Sequence, residues 1–168
     1  MEGGTGAISV TVLNETADEV DAERWGELVR RVLETEGVVP PAESTVVFVD
    51  DEAMTALNAE HMGGSGPTDV LSFPIDDGSD DDHVAPVGGS MVRLVGDIVV
   101  CPSVAAGNAA DHTGSPDDEI ALLLIHGSLH LLGHDHAEPA ERERMWAAEQ
   151  RLVEQLWNPF PRDPWGAS

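Results

Sequence analysis

Apolar residues recur along this chain with two periods, and the stretches where each period runs predict its elements. "ISVTVLNE", residues 8 to 15, alternates apolar and polar side chains and predicts a strand with one buried face. From 18 to 37 the spacing changes. Val20, Trp25, Leu28, Val29 and Leu33 now recur every few residues, which predicts a helix that Gly37 closes. "STVVFVDD" (44 to 51) predicts a second strand, and "DEAMTALNAEHM" (51 to 62) a short helix capped by Asp50 or Asp51. A turn at "GGSGPT" leads into the strand "DVLSFPI", ended by Pro74, and "DDGSDDDHVAPVGGS" then predicts a polar loop. "RLVGDIVVCP" (93 to 102) is apolar enough for a buried strand, and residues 102 to 112 and 116 to 132 have helical spacing. The last helix, amphipathic, is predicted over 138 to 157 with Pro139 in its first turn. The tail "NPFPRDPWGAS" holds three prolines and predicts irregular structure; no internal repeat is visible.

A chain of 168 residues suits one domain, here 1–157, followed by the tail 158–168. The runs "ALLLI" and "LVGDIVVC" are far shorter than the ~20 residues of a membrane span. The opening "MEGGTGAISVTVLNE" shows neither a basic nor an apolar signal region, so a cytoplasmic protein with no membrane partner is expected. The single cysteine, Cys101, excludes an intramolecular disulfide, fits a reducing compartment and reads as a small buried hydrophobe.

Charge complicates the picture. Against 32 Asp and Glu stand 8 Arg and no Lys, for a formal net charge of −24, which repels polyanions at long range. The surface reads as a compositional bias towards acidity rather than a function, and it is in tension with every nucleic-acid reading. Nor is the acidic loop a calcium site. Gly78 is third from Asp76 where an EF-hand needs glycine sixth, and no Glu occupies the twelfth position.

The chemistry gathers in "HGSLHLLGHDH", residues 126 to 136, directly behind the apolar "EIALLLI". On a helix His126 and His130 lie one turn apart, about 40° from each other around the axis, so both rings can reach one ion. His136 would be out of reach on a continued helix, but Gly133 can end the helix in a left-handed conformation and return His136 as a third ligand. Three imidazoles with a fourth position open form the pattern of catalytic zinc, one ion per chain. The spacing reproduces the metzincin protease frame H-E-x-x-H-x-x-G-x-x-H except that Gly127 replaces the catalytic glutamate. His134 lies outside the ligand spacing. Asp135, next to a ligand, either orients a ring by accepting its N–H or caps the turn, and is the side-chain candidate for a catalytic role.

At this point the sequence resembles the bacterial YbeY family of rRNA-maturation endoribonucleases, whose signature H-G-x-x-H-L-x-G-[YH]-D-H is matched in full. The family's P-T-D/N-V-L-S-F-P segment is matched by "PTDVLSFP" (67 to 74) and its G-D strand by "GDIVVC" (96 to 101), with the likeness running from about residue 8 to 157. The resemblance implies a zincin-like α+β fold, a mixed sheet packed by helices, with zinc on His126, His130 and His136. It also implies single-strand-specific cleavage in maturation of the 3′ end of small-subunit (16S) rRNA, a part in ribosome quality control, and single-stranded rRNA and the ribosome or small-subunit assembly proteins as partners. Many members carry an arginine where this chain has Met62; Arg93, entering the "GDIVVC" strand, is the candidate to contact substrate in its place. Zinc would lower the pKa of a bound water towards ~7, and either the resulting hydroxide or the 2′-hydroxyl of the RNA would attack the phosphodiester. Two other readings compete: a non-catalytic zinc-binding ribosome-assembly factor, and a metzincin-shaped zinc peptidase with a different base. Against the peptidase stands the lost glutamate, together with the expectation that the cleft lacks an edge suited to peptides.

Overall fold

A computed structural model describes residues 7–75, 84–87, 90–135 and 137–165. Alternation at the start becomes strand β1 (Ile8–Asn14), followed by helix α1 (Ala22–Thr35), strand β2 (Ala42–Phe48) and helix α2 (Asp51–Met62). Helix α1 begins later than the apolar spacing suggests, because the Asp21 side chain accepts from the Arg24 N–H and fixes the first turn there. The Asp50 side chain caps α2 in the same way. Strand β3 (Val70–Pro74) and the long β5 (Ser90–Val100) follow as the apolar runs predict.

The loop expected over 76 to 90 is corrected in part. Val84–Val87 is strand β4, paired antiparallel with the N-terminal part of β5 from Val84 opposite Arg93 to Val87 opposite Ser90. Four residues containing Pro86 carry too little periodicity to announce a strand; only the pairing partner makes one. The remainder of that expected loop, 76–83 and 88–89, lies outside the described residues.

Strands β1, β2 and β5 run parallel, and β3 lies antiparallel along the C-terminal part of β5, from Val70 opposite Val100 to Pro74 opposite Gly96. In the order β1-β2-β5-β3, β3 lies at one edge and β1 at the other. Alternation along the strands sends Val46, Phe48, Ile98 and Val100 to one face and Val47, Val49, Val99 and Cys101 to the other. The first face is covered by α1, by α4 (Pro116–Leu131) and by α5 (Pro139–Leu156); the second takes Met54 and Leu57 of α2. Helix α3 (Pro102–Ala109) leads from β5 towards α4.

Helix α4 runs through the core. The Ser115 side chain caps it, Pro116 opens it, and Ala121, Leu122, Leu123, Leu124 and Ile125 are all buried. A segment apolar on every side must be enclosed, and α4 is enclosed by the sheet, α1, α3 and α5. This mixed sheet packed by helices is a single α+β domain of the expected zincin-like class. No helix among the described residues is long and apolar enough to cross a membrane.

Candidate metal centre and its groove

Helix α4 brings His126 and His130 together at its C-terminal end, their Nε2 atoms 3.1 Å apart and their rings nearly perpendicular. What each ring nitrogen can do follows from the partner of the other. His126 Nδ1 lies 2.6 Å from Oε2 of Glu149, and Oε1 of the same carboxylate accepts from Trp165 Nε1 at 2.8 Å. Glu149 is 2% exposed, so water cannot supply its partners. As a carboxylate it only accepts, which puts the proton of His126 on Nδ1 and leaves Nε2 with a lone pair towards His130.

That arrangement fits a metal. Two nitrogens bound tetrahedrally at the usual ~2.0–2.1 Å would be about 3.3 Å apart, close to the separation seen. Imidazole donors suit zinc rather than magnesium or calcium. The third expected ligand, His136, lies outside the described residues; before it, the helix ends and the chain turns back. Gly133 has φ +100°, its N–H donates to the His130 carbonyl at 3.1 Å, and the His134 N–H reaches back to the Leu129 carbonyl at 3.0 Å. An L side chain resists that φ, and glycine lets the helix stop there and the chain reverse.

The reversal brings Asp135 to a groove of about 330 Å³ between α4 and edge strand β3, shared with His126, His130, Met62, Val70 and Ser72. Asp135 is the one carboxylate among the described residues lining it. His134 instead faces a separate hollow with Glu141 and Arg144, away from the histidine pair. Arg93 is not on the groove wall. It lies opposite Ala42 and Val84, about 16 Å along β5 from Ile98, the β5 residue that meets α4 at Gly127. Met62, the position where the resembling family has arginine, is exposed on that wall.

Gly127 has a packing role that the motif alone does not reveal. A Cβ there would come within 2.9 Å of Ile98 Cγ2 and 3.1 Å of Ser72 Oγ, and the Ser72 hydroxyl donates to the Gly127 carbonyl at 3.2 Å. The glycine is where α4 lies directly on the sheet. The expectation that the cleft lacks an edge for a peptide is also corrected, since β3 is an edge strand and lines the groove. What the site lacks for proteolysis is the glutamate, at a position that packing closes.

Sequence reasoning missed Glu149. A signal existed: on α5 it falls among Met145, Ala148, Leu152 and Val153, the buried stripe, where a carboxylate needs a partner. A larger cavity, about 700 Å³, lies elsewhere, between α1 and the start of α4, and no histidine is among the described residues lining it.

The family model described as Endoribonuclease YbeY matches residues 11–157. The chain is 45% identical to the Endoribonuclease YbeY of Salinispora tropica over 148 residues, covering 87% of this chain and 94% of that protein. It is 44% identical to that of Micrococcus luteus over 155 residues, covering 92% and 96%. Among solved structures it is similar to the solution structure of TM1509 from Thermotoga maritima, with a TM-score of 0.60 and 26% identity over 88% of this chain and 89% of that one. With His126 and His130 of the signature on α4 and a match of this extent, the chain belongs to the Endoribonuclease YbeY family.

Proposed function

We propose that this protein is a zinc-dependent, single-strand-specific endoribonuclease of the cytoplasm, acting on the 3′ end of small-subunit rRNA and in ribosome quality control. The observation that carries the reading is the His126–His130 pair. Its nitrogens converge in a groove along an edge strand, and Glu149 holds the His126 Nδ1 proton so that Nε2 faces His130 as an acceptor. His126, His130 and His136 would hold the ion. Zinc there supplies Lewis acidity for a phosphodiester and for water.

The rest falls to the chain's own atoms. Glu149 keeps the Nδ1 proton of His126 in place, and the second N–H bond, from Trp165, keeps the carboxylate from rotating. The Asp135 carboxylate, on the groove wall with both rings, takes the proton of the attacking water or 2′-hydroxyl as the new P–O bond forms and returns it to the leaving oxygen as the old P–O bond breaks, a task for which Gly127 offers no side chain. Leu71, Val70 and Pro74 form an apolar wall that limits water around the reacting phosphate.

The test is digestion of labelled single-stranded RNA, of the matching duplex and of casein by one zinc-loaded preparation. RNA cleavage confined to single strands is expected, with loss of both zinc and cleavage in His130→Ala. A 5′-phosphate on the products identifies water as nucleophile, and a cyclic phosphate the 2′-hydroxyl. Casein cleavage at a rate matching that of RNA would overturn the substrate class, and stoichiometric zinc with no cleavage of either would leave the assembly-factor reading.

A further inference from the structure

Beyond the histidine pair the groove continues into a cavity of about 220 Å³ that the proposed reaction does not use. Val70, Leu122 and Leu123 line it with apolar surface, Trp146 of α5 and Trp165 of the tail add two indoles, and His126 stands at one end. Asp69 and His112 supply polar atoms at its rim.

His112 is held as His126 is held. Its Nδ1 lies 2.7 Å from Oε2 of Glu119, whose Oε1 accepts from Thr113 Oγ1 at 2.8 Å. Glu119 is 1% exposed. With the carboxylate accepting both bonds, the Nδ1 proton is fixed and Nε2 is the polar atom of His112 that remains for another partner. Glu119 and His126 are seven residues apart on α4, on the same face and about 10 Å along its axis. His112 and His126, each held by a buried carboxylate, thus line one cavity.

The lining decides what fits. Asp69 and Glu149 border the cavity and no arginine is among the described residues lining it, so a phosphate would meet like charge. A nucleobase is uncharged and flat, and offers N–H groups that a carboxylate accepts. The volume equals about seven waters at ~30 Å³ each, room for one heterocycle without its sugar and phosphate. Trp165 is a rigid wall, because it stacks on Phe160 with centroids 5.7 Å apart while its N–H is tied to Glu149. Trp146 is exposed, with the Arg142 guanidinium over its ring at 5.5 Å from the centroid, so a base would stack on the indole beside that cation.

We propose that this cavity is a nucleobase subsite for the nucleotide beside the scissile phosphodiester, with Trp146 stacking on the base and Asp69 and His112 meeting its edge. The proposal rests on the endoribonuclease reading. It also suits a strongly acidic protein, since base stacking holds a single strand without a basic groove.

The test is an abasic walk along a single-stranded RNA oligonucleotide with one mapped cleavage site. Wild type should lose about ten-fold in kcat/KM when the abasic position flanks that site and little elsewhere. Trp146→Ala should lose about the same on the intact RNA, bind zinc normally, and lose nothing further from the flanking abasic substitution; Trp146→Phe should recover most of the rate. Equal sensitivity at every position, or losses from Trp146→Ala and the abasic nucleotide that multiply, would overturn the subsite while leaving the nuclease standing. Absence of RNA cleavage by zinc-loaded wild type would remove both.

Discussion

His126 and Glu149 are 23 positions apart in sequence and 2.6 Å apart in space, joined Nδ1 to Oε2 across the packing of α4 on α5. The bond ties the state of the metal-site imidazole to the helix that follows it.

Glu149→Gln tests that tie. An amide can accept from one N–H but presents its own N–H₂ to the other, so either His126 or Trp165 loses its partner. Zinc affinity should fall by about 10- to 100-fold with the fold intact, as chelator competition would measure. Affinity unchanged in the variant would mean that the carboxylate does not orient the ligand.

Gly127→Glu would restore the protease frame on paper and should instead destabilise the protein. Its Cβ would enter the contact with Ile98 at 2.9 Å, and the overpacking should cost about 1–3 kcal/mol, more than the helix propensity gained by leaving glycine. Thermal denaturation should show the loss and a casein assay no gain. A variant as stable as wild type would mean that the sheet yields easily at Ile98.

These two residues mark the limit of what could be read from the chain. His126, His130 and Gly133 were legible because their geometry is local: one helical turn, then one left-handed residue. So were β1, β2, α2 and the buried α4, whose patterns run long enough to fix a period. Glu149 was not legible as a partner, because its meaning lies in another helix. Gly127 could be read only as a missing base, since its contact with Ile98 and Ser72 exists only once α4 lies on the sheet. Strand β4 is defined by its pairing with β5, which the sequence of four residues around Pro86 does not encode by itself.

A pH-dependent contribution to stability is expected at the start of α2. The Ser103 hydroxyl, and then the Cys101 thiol at 3.3 Å, donate to Asp51 Oδ1 and hold its carboxyl below the usual range, while burial pushes the Cys101 thiol up and keeps it a donor. A carboxylate whose pKa is depressed on folding stabilises the fold above its unfolded value, and that contribution is lost as pH falls through the folded one. Ser103→Ala should therefore melt below wild type at pH 7, with the gap closing as pH falls beneath the ordinary aspartate value of ~3.9. A gap independent of pH would assign the effect to helix capping instead.

The strongest test of how an acidic protein meets RNA is salt. Proteins that bind nucleic acid through Lys and Arg lose affinity steeply as salt rises, because the counterions they release become harder to release. This chain has no Lys and a net charge of −24, and several of its arginines are committed elsewhere: Arg24 to Asp117, Arg30 to Glu27 and Glu34, and Arg151 to Glu36. No arginine is among the described residues lining the groove or the adjoining cavity. Encounter should thus be opposed by repulsion at long range and favoured by close contacts, the ion and the stacked base. Salt shortens the repulsion to a Debye length of about 10 Å at 0.1 M and weakens close contacts less. Cleavage of a single-stranded oligonucleotide should hold steady or rise as KCl goes from low to moderate concentration. A steep monotonic fall in kcat/KM would require a binding surface built on cations, and would count against stacking as the main source of affinity.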